Sequence, residues 1–383
     1  MRHYNQDFLR RLPDSDQHFR RGAGLWQRLH LDPVLLLSLL LLTFYGLIVL
    51  YSGGGQSEYY MKRQVVFFAI AYAGMLVVAQ VQMHVLQRWA IWLYAFGILL
   101  LIWVMVNGVG AKGAQRWISL GFIRFQPSEI VKLAVPIMIA SYFSTRVLPP
   151  RFRHVCWCVI AIGIPAGLIV QQPDLGTSLL VVASGLIALF LAGLRWRYVI
   201  GTLLAAAASI WPMWQFVMHD YQKQRVLTLL NPEADPLGAG WNIIQSKTAI
   251  GSGGLYGKGW LSGTQSHLDF LPESHTDFII AVLAEEFGLL GVLVLLGLYI
   301  AVISRGLTIA VRAQTTFNKI LAGSISLTFS VYVFVNMGMV AGLLPVVGVP
   351  LPLVSLGGTS LVTLMVGFGI LMAIATERKK VTM

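Results

Sequence analysis

Asp277 stands in the run LPESHTDFI, Leu271 to Ile279, where a Gly-rich polar stretch gives way to a long apolar one. A carboxylate at such a boundary can act as a general base toward a substrate that arrives along a membrane surface, with Glu273 and His275 as polar neighbours. The same residues also have a structural reading. Ser274 and Asp277, three apart, fit a capping box in which the acid satisfies first-turn N–H groups and the helix dipole. Spacing alone leaves both open.

Other charged residues lie in apolar surroundings, where an ionised group costs about 2.5–3.5 kcal/mol at a helix centre and needs a polar cavity or a partner. Glu129 has Lys132 three residues on, on one helical face, which suits a structural ion pair or a cavity lining. Glu285 is eight residues beyond Asp277 and can share a cavity with it, whereas Glu286 points nearly the opposite way. In GAKGAQRWISLGFIRFQPSE, Gly110 to Glu129, Arg116 and Trp117 suit an interfacial segment that grips an anionic head group or simply anchors at the interface. Asp174 and Thr177 in QPDLGTS can cap a helix. GSGGLYGKGW, Gly251 to Trp260, fails the P-loop pattern because Ser252 and Gly259 stand where Gly and Ser or Thr are required. Its N–H groups, with Lys247 and Lys258, could instead meet a lipid-linked phosphate; glycines for a tight turn are the plainer reading. PLPLVSLGGTS, Pro350 to Ser360, puts small residues where helices pack closely or a cavity is lined.

The elements that position these residues are set by composition. Of 383 residues, 56% are hydrophobic and 11% charged, with a mean hydropathy of +0.71, which excludes a water-soluble globular chain. Ten apolar runs follow at about 34–52, 64–82, 89–107, 128–145, 154–171, 176–194, 197–218, 277–304, 316–344 and 354–375. The expected fold is an all-α polytopic membrane protein. Its ten transmembrane helices carry a large extracytoplasmic loop, 218–276, between the seventh and eighth. Residues 1–30 form a basic cytoplasmic tail, 31–376 the membrane domain and 377–383 a cytoplasmic C-terminus.

The net charge of +12 is gathered in short loops: Arg88; Arg146, Arg151 and Arg153; Arg195 and Arg197; Arg305 and Arg312. That is a topology signal placing both termini inside, so no nucleic-acid partner is expected. Cys156 and Cys158 point about 200° apart on a helix and cannot share a metal. The long Gly-rich loops fall on the outer side, where chemistry is expected. Prolines inside spans, Pro136, Pro165 and Pro212, also suit a transporter.

Taken together, GAKGAQRW, FQPSE, QPDLGTS, LPESHTDFI with its following AEE, and PLVSLGGTS resemble the SEDS family (shape, elongation, division and sporulation), and its elongation branch, the RodA type, more than its division branch. The likeness runs from about Leu31 to the end of the tenth span. It implies a peptidoglycan glycosyltransferase that polymerises lipid II on the outer face of the bacterial inner membrane, releases undecaprenyl diphosphate, and works with a class B penicillin-binding protein and other elongation-complex membrane proteins. It also implies that Asp277 is the essential acid, that Glu129 and Lys132 line a central cavity, and that Arg116 and Asp174 are polar outer-face positions. Leu356 and Thr359 depart from the family's usual Tyr and Ser. No cofactor is firmly implied, although magnesium or manganese could assist departure of the diphosphate. The rival expectations are a lipid II flippase and a non-catalytic scaffold that activates a transpeptidase.

Overall fold

The computed structural model describes residues 29–111, 114–119, 124–218, 220–234, 240–264 and 273–377. Most of the basic tail, the residues after 377, and Lys112, Leu271 and Pro272 lie outside these. In chain order the long helices are α1 Pro33–Gly53, α2 Glu58–Ala79, α3 Met83–Asn107, α4 Pro127–Ser144, α5 Phe152–Gln171, α6 Leu175–Leu191 and α7 Trp196–Pro212, which runs on as π-helix over Met213–Val217. Within the long loop lie α8 Asp220–Leu230 and α9 Trp241–Gly253; then come α10 Ile279–Arg312, α11 Thr316–Val340 and α12 Thr359–Thr376.

Each of the ten apolar runs overlaps one of these helices. Seven, α1, α2, α3, α5, α10, α11 and α12, are long and apolar enough to cross a membrane by length and composition. α6 and α7 have only 17 residues each, and α4 spends positions on Glu129 and Lys132. The fold is nearly all-helical, with one small exception. Residues expected as an interfacial loop form a small antiparallel sheet, β1 Val109–Ala111, β2 Ala114–Ser119 and β3 Arg124–Phe125, in that order. The ladders, Val109 opposite Trp117 and Ile118 opposite Phe125, satisfy backbone groups that a loose loop would leave to water.

α4 sits among α3, α6, α11 and α12, while α10 packs on α1 and α11, and α12 on α2. Buried aromatic contacts such as Phe329 edge-on to Phe368 at 5.0 Å fill the middle of the bundle. Trp92, Phe96, Leu99 and Trp103 on α3 remain exposed, as a lipid-facing surface requires. Asp32 caps α1, accepting from Leu35 N at 2.9 Å, and holds Arg305 of α10 through two bonds of 3.0 and 2.5 Å. Burial raises the Asp32 pKa, but the Arg305 and backbone hydrogen bonds outweigh it, and the carboxyl titrates below its ordinary 3.8. A depressed acid stabilises the fold above its unfolded pKa and loses that contribution as pH falls through the folded one. The melting-temperature gap between wild type and Asp32→Asn is therefore expected to be full at pH 6–7 and to close below about pH 3.8.

α10 is two helical segments broken at Gly288 (φ 64°). The Gly-rich run fills the break: Lys258 N and Gly259 N donate to the carbonyls of Glu285 and Glu286 at 3.0 Å, and Leu289 N and Leu290 N donate to Gly254 and Leu255 at 3.0 and 3.2 Å. The N–H groups of Lys258 and Gly259, expected near a phosphate, are thus spent on the carbonyls a broken helix exposes. Gly257 adopts φ 78°, and a Cβ there would run into the Glu286 carbonyl. Gly257→Ala is expected to cost about 1–3 kcal/mol, read as a lower melting temperature of the purified protein.

Candidate functional site

A cavity of about 1070 Å³ opens where β2, α2, α4, α6, α11, the turn before α10 and the segment before α12 converge. Arg116, Glu129, Lys132, Asp174 and Asp277 all line it, brought together from positions up to 161 residues apart.

Asp174 is held first by local chemistry. As N-cap of α6 its Oδ1 accepts from Thr177 N at 3.2 Å, while Oδ2 accepts from Gln126 Nε2 at 3.0 Å and lies 3.7 Å from Arg116 Nη1. Arg116 in turn donates to the carbonyls of Gln172 (3.2 Å) and Pro173. The capping reading of Asp174 and its place in the cavity wall are both realised, because one carboxylate has two oxygens to share. Glu129 and Lys132, 4% and 6% exposed, pair at 2.7 Å, and the ammonium lies 5.0 Å from the centre of the Tyr332 ring. A buried carboxylate and a π-face give the ammonium favourable partners away from bulk water.

Asp277 is partly buried, and it does not cap a helix in the expected box. α10 begins at Ile279 with Phe278 as its N-cap, and the Ser274 hydroxyl donates instead to Gly53 O at 2.9 Å. The turn carrying Asp277 is stitched to the segment before α12. Asn336 Nδ2 donates to Asp277 O (2.9 Å) and Val349 O (2.7 Å), Ser355 Oγ donates to Thr276 O (2.5 Å), and Leu356 N donates to His275 O (2.9 Å). Gly348, at φ 74°, leaves room beside the Asp277 carboxylate, where a Cβ would come within 3.5 Å of Oδ2. His275 stacks on Tyr60 at 4.7 Å, and burial holds its imidazole below the usual range against the opposing pull of Glu273.

The other sequence candidates lie elsewhere. Glu285, expected to share a cavity with Asp277, is fully buried and accepts from Lys258 Nζ (2.7 Å), Thr264 N (2.8 Å) and Thr264 Oγ1 (2.9 Å). Neither Glu285 nor Lys258 lines the cavity, because the strap docked into the α10 break draws the two together. Lys247 is exposed on α9, with its tip against Gly342, also away from the cavity.

Sequence reading missed Arg63 and Tyr332 as wall residues. Arg63 reads in the sequence as an ordinary loop cation; Tyr332, a phenol among small hydroxyls and apolar residues on α11, was the available signal. Leu356 and Thr359, at the family's usual Tyr and Ser positions, line the cavity. Among the described residues no three His, Cys, Asp or Glu side chains gather as metal ligands.

A cavity with cations at Arg63, Arg116 and Lys132 and a carboxylate at Asp277 can hold a polyanionic group and accept a proton near it. Comparison with known proteins adds to this geometry. Residues 32–380 match the FtsW/RodA/SpoVE family model, described as cell cycle protein. The chain is 56% identical over 354 residues to the peptidoglycan glycosyltransferase MrdB of Escherichia coli K12, covering 92% of this chain and 96% of that one. It is 37% identical to the probable peptidoglycan glycosyltransferase FtsW of Trichlorobacter lovleyi, covering 91% and 94%. Among solved structures it resembles a chain from work on polymerization and crosslinking by a peptidoglycan synthase complex (TM-score 0.79, 29% identity, 90% and 97% covered). It also resembles the rod shape determining protein RodA of Thermus thermophilus (TM-score 0.70, 26% identity, 91% and 98% covered).

Proposed function

The chain belongs to the FtsW/RodA/SpoVE family, and from that premise we propose that it polymerises lipid II with Asp277 as the general base. It is a multi-pass membrane protein and a peptidoglycan glycosyltransferase. The observation that carries the assignment of roles is the convergence of Asp277, Arg116 and Lys132 on one cavity.

The sugar 4-hydroxyl of one lipid II attacks the anomeric carbon of the growing chain. The carbon–oxygen bond to undecaprenyl diphosphate breaks, the hydroxyl proton passes to Asp277, and the anomeric centre inverts. Negative charge builds on the departing diphosphate, and Arg116, Lys132 and Arg63 are the cavity cations that answer it. The Asn336 bond to Asp277 O holds the turn that carries the carboxylate, and Gly348 leaves room beside it, so less of the barrier is spent on reorganisation.

Ten crossings with both ends in the cytoplasm agree with the basic short loops, and they put the cavity on the outer face. The likeness to a chain of a peptidoglycan synthase complex that coordinates polymerization and crosslinking supports a transpeptidase of the class B penicillin-binding type as partner. The test gives purified protein, alone and with that partner, labelled lipid II and sizes the products. Glycan chains from wild type that vanish in Asp277→Ala support the reading. Lipid II moved across sealed vesicles without polymer would replace it with a flippase. Transpeptidase activation without polymer would replace it with a scaffold.

A further inference from the structure

At the end of the bundle opposite the cavity lies a second charged surface that the chemistry above does not use. α5 ends and α6 begins beside Arg116 and Asp174, so the start of α5 and the end of α6 lie at the far end. Two loops meet there. The Phe152 and Tyr198 rings are 5.8 Å apart, and a Cβ on Gly193 would lie 3.8 Å from Pro149. Arg151 and Arg153 stand where one loop enters α5 and Arg195 and Arg197 where the other enters α7, all exposed. Neither 144–154 nor 190–199 contains an acid, and among the described residues none of the four makes an ion pair. A fifth cation, Arg146, is engaged locally, stacked on Tyr142 at 3.5 Å.

Two further features give this surface a direction. α5 starts without a side-chain cap, so its first N–H groups add to the positive field. Below Arg153 on the same helical face run Trp157, Ile160 and Ile164, exposed by 57%, 52% and 49%, while Phe152 and Trp196 are exposed at the rim. The positive-inside rule is satisfied by cations in any short loop. It does not require four of them over two touching loops, with no acid and an apolar ridge beneath.

We propose that this surface binds a phospholipid with two phosphates, of the cardiolipin type. The phosphates lie across the Arg151–Arg153 and Arg195–Arg197 pairs, and an acyl chain follows the Trp157–Ile160–Ile164 ridge. Guanidinium groups suit the task because each meets a phosphate through two parallel N–H bonds. Two anionic centres against four cations favour this lipid over a zwitterionic one, whose own ammonium offsets its phosphate. The site is independent of the role given to Asp277.

Native mass spectrometry of the full chain released from detergent, titrated with tetraoleoyl cardiolipin or dioleoyl phosphatidylcholine, tests the proposal. Wild type is expected to bind cardiolipin roughly tenfold or more tighter than phosphatidylcholine, and R151Q/R153Q/R195Q/R197Q to bring the two within about twofold. The matching Arg→Lys variant, which keeps the charge, is expected to retain part of the preference, and Arg153→Gln and Arg197→Gln to weaken it singly should the fourfold variant misfold. Wild type that does not discriminate, or a Gln variant that discriminates as well as wild type, overturns the proposal. Displacement of the lipid by inorganic pyrophosphate at comparable concentration would assign the surface to a soluble anion and overturn it equally.

Discussion

Asp277→Asn is expected to lower the rate of glycan polymerisation by about 10²- to 10⁴-fold, the range that a positioned general base contributes. The substitution keeps the size of the side chain and removes only its capacity to accept a proton at neutral pH. Asn336 holds the backbone carbonyl of residue 277 rather than its side chain, and Ser355 and Leu356 bond to Thr276 and His275. The turn should therefore survive, and melting temperature should move little. Lipid II binding should also persist, because the cavity cations are untouched, so the loss is expected in kcat with KM nearly constant. Asp277→Glu carries the carboxylate one methylene further toward Gly348. It is expected to recover part of the rate only, since a displacement of about 1 Å can cost about 10²-fold.

Lys132→Met is expected to destabilise the fold by about 3–5 kcal/mol, because it leaves Glu129 buried without its cation. Adding Glu129→Gln removes the orphaned charge and is expected to bring the melting temperature back most of the way, as replaced buried pairs often do. Activity separates structure from chemistry. If Lys132 answers charge on the departing diphosphate, the double variant stays about 10²- to 10³-fold slow despite its recovered fold. Recovery of both stability and rate would make the pair purely structural.

What was legible in the sequence was the part governed by hydropathy and short spacing. Seven of the apolar runs became helices long and apolar enough to cross a membrane, because burial in lipid leaves a backbone few other choices, and the Glu129–Lys132 pair followed from three-residue spacing on one face. Long-range geometry was less accessible. The break at Gly288 gave no local sign beyond a glycine, so the docking of the Gly-rich strap, and with it the diversion of Glu285 toward Lys258, could not be read. The sheet around Trp117 was hidden by an interfacial composition that suits loop and strand alike. Ser274 and Asp277 had the spacing of a cap, yet the helix began at Ile279, four residues later than that box requires, because tertiary bonds to Gly53 and from Asn336 and Ser355 fixed the turn instead.

In the proposed reaction the carboxylate at position 277 meets the hydroxyl that attacks. A structure of the Asp277→Asn protein with lipid II bound, slow enough to hold its substrate, measures this directly. The acceptor sugar hydroxyl is expected within about 2.6–3.2 Å of the residue 277 side chain, with the donor diphosphate toward Arg116 and Lys132. Lipid II seated with both sugars outside the cavity, or with its hydroxyl facing Glu273 or Asp174 in place of residue 277, would contradict it.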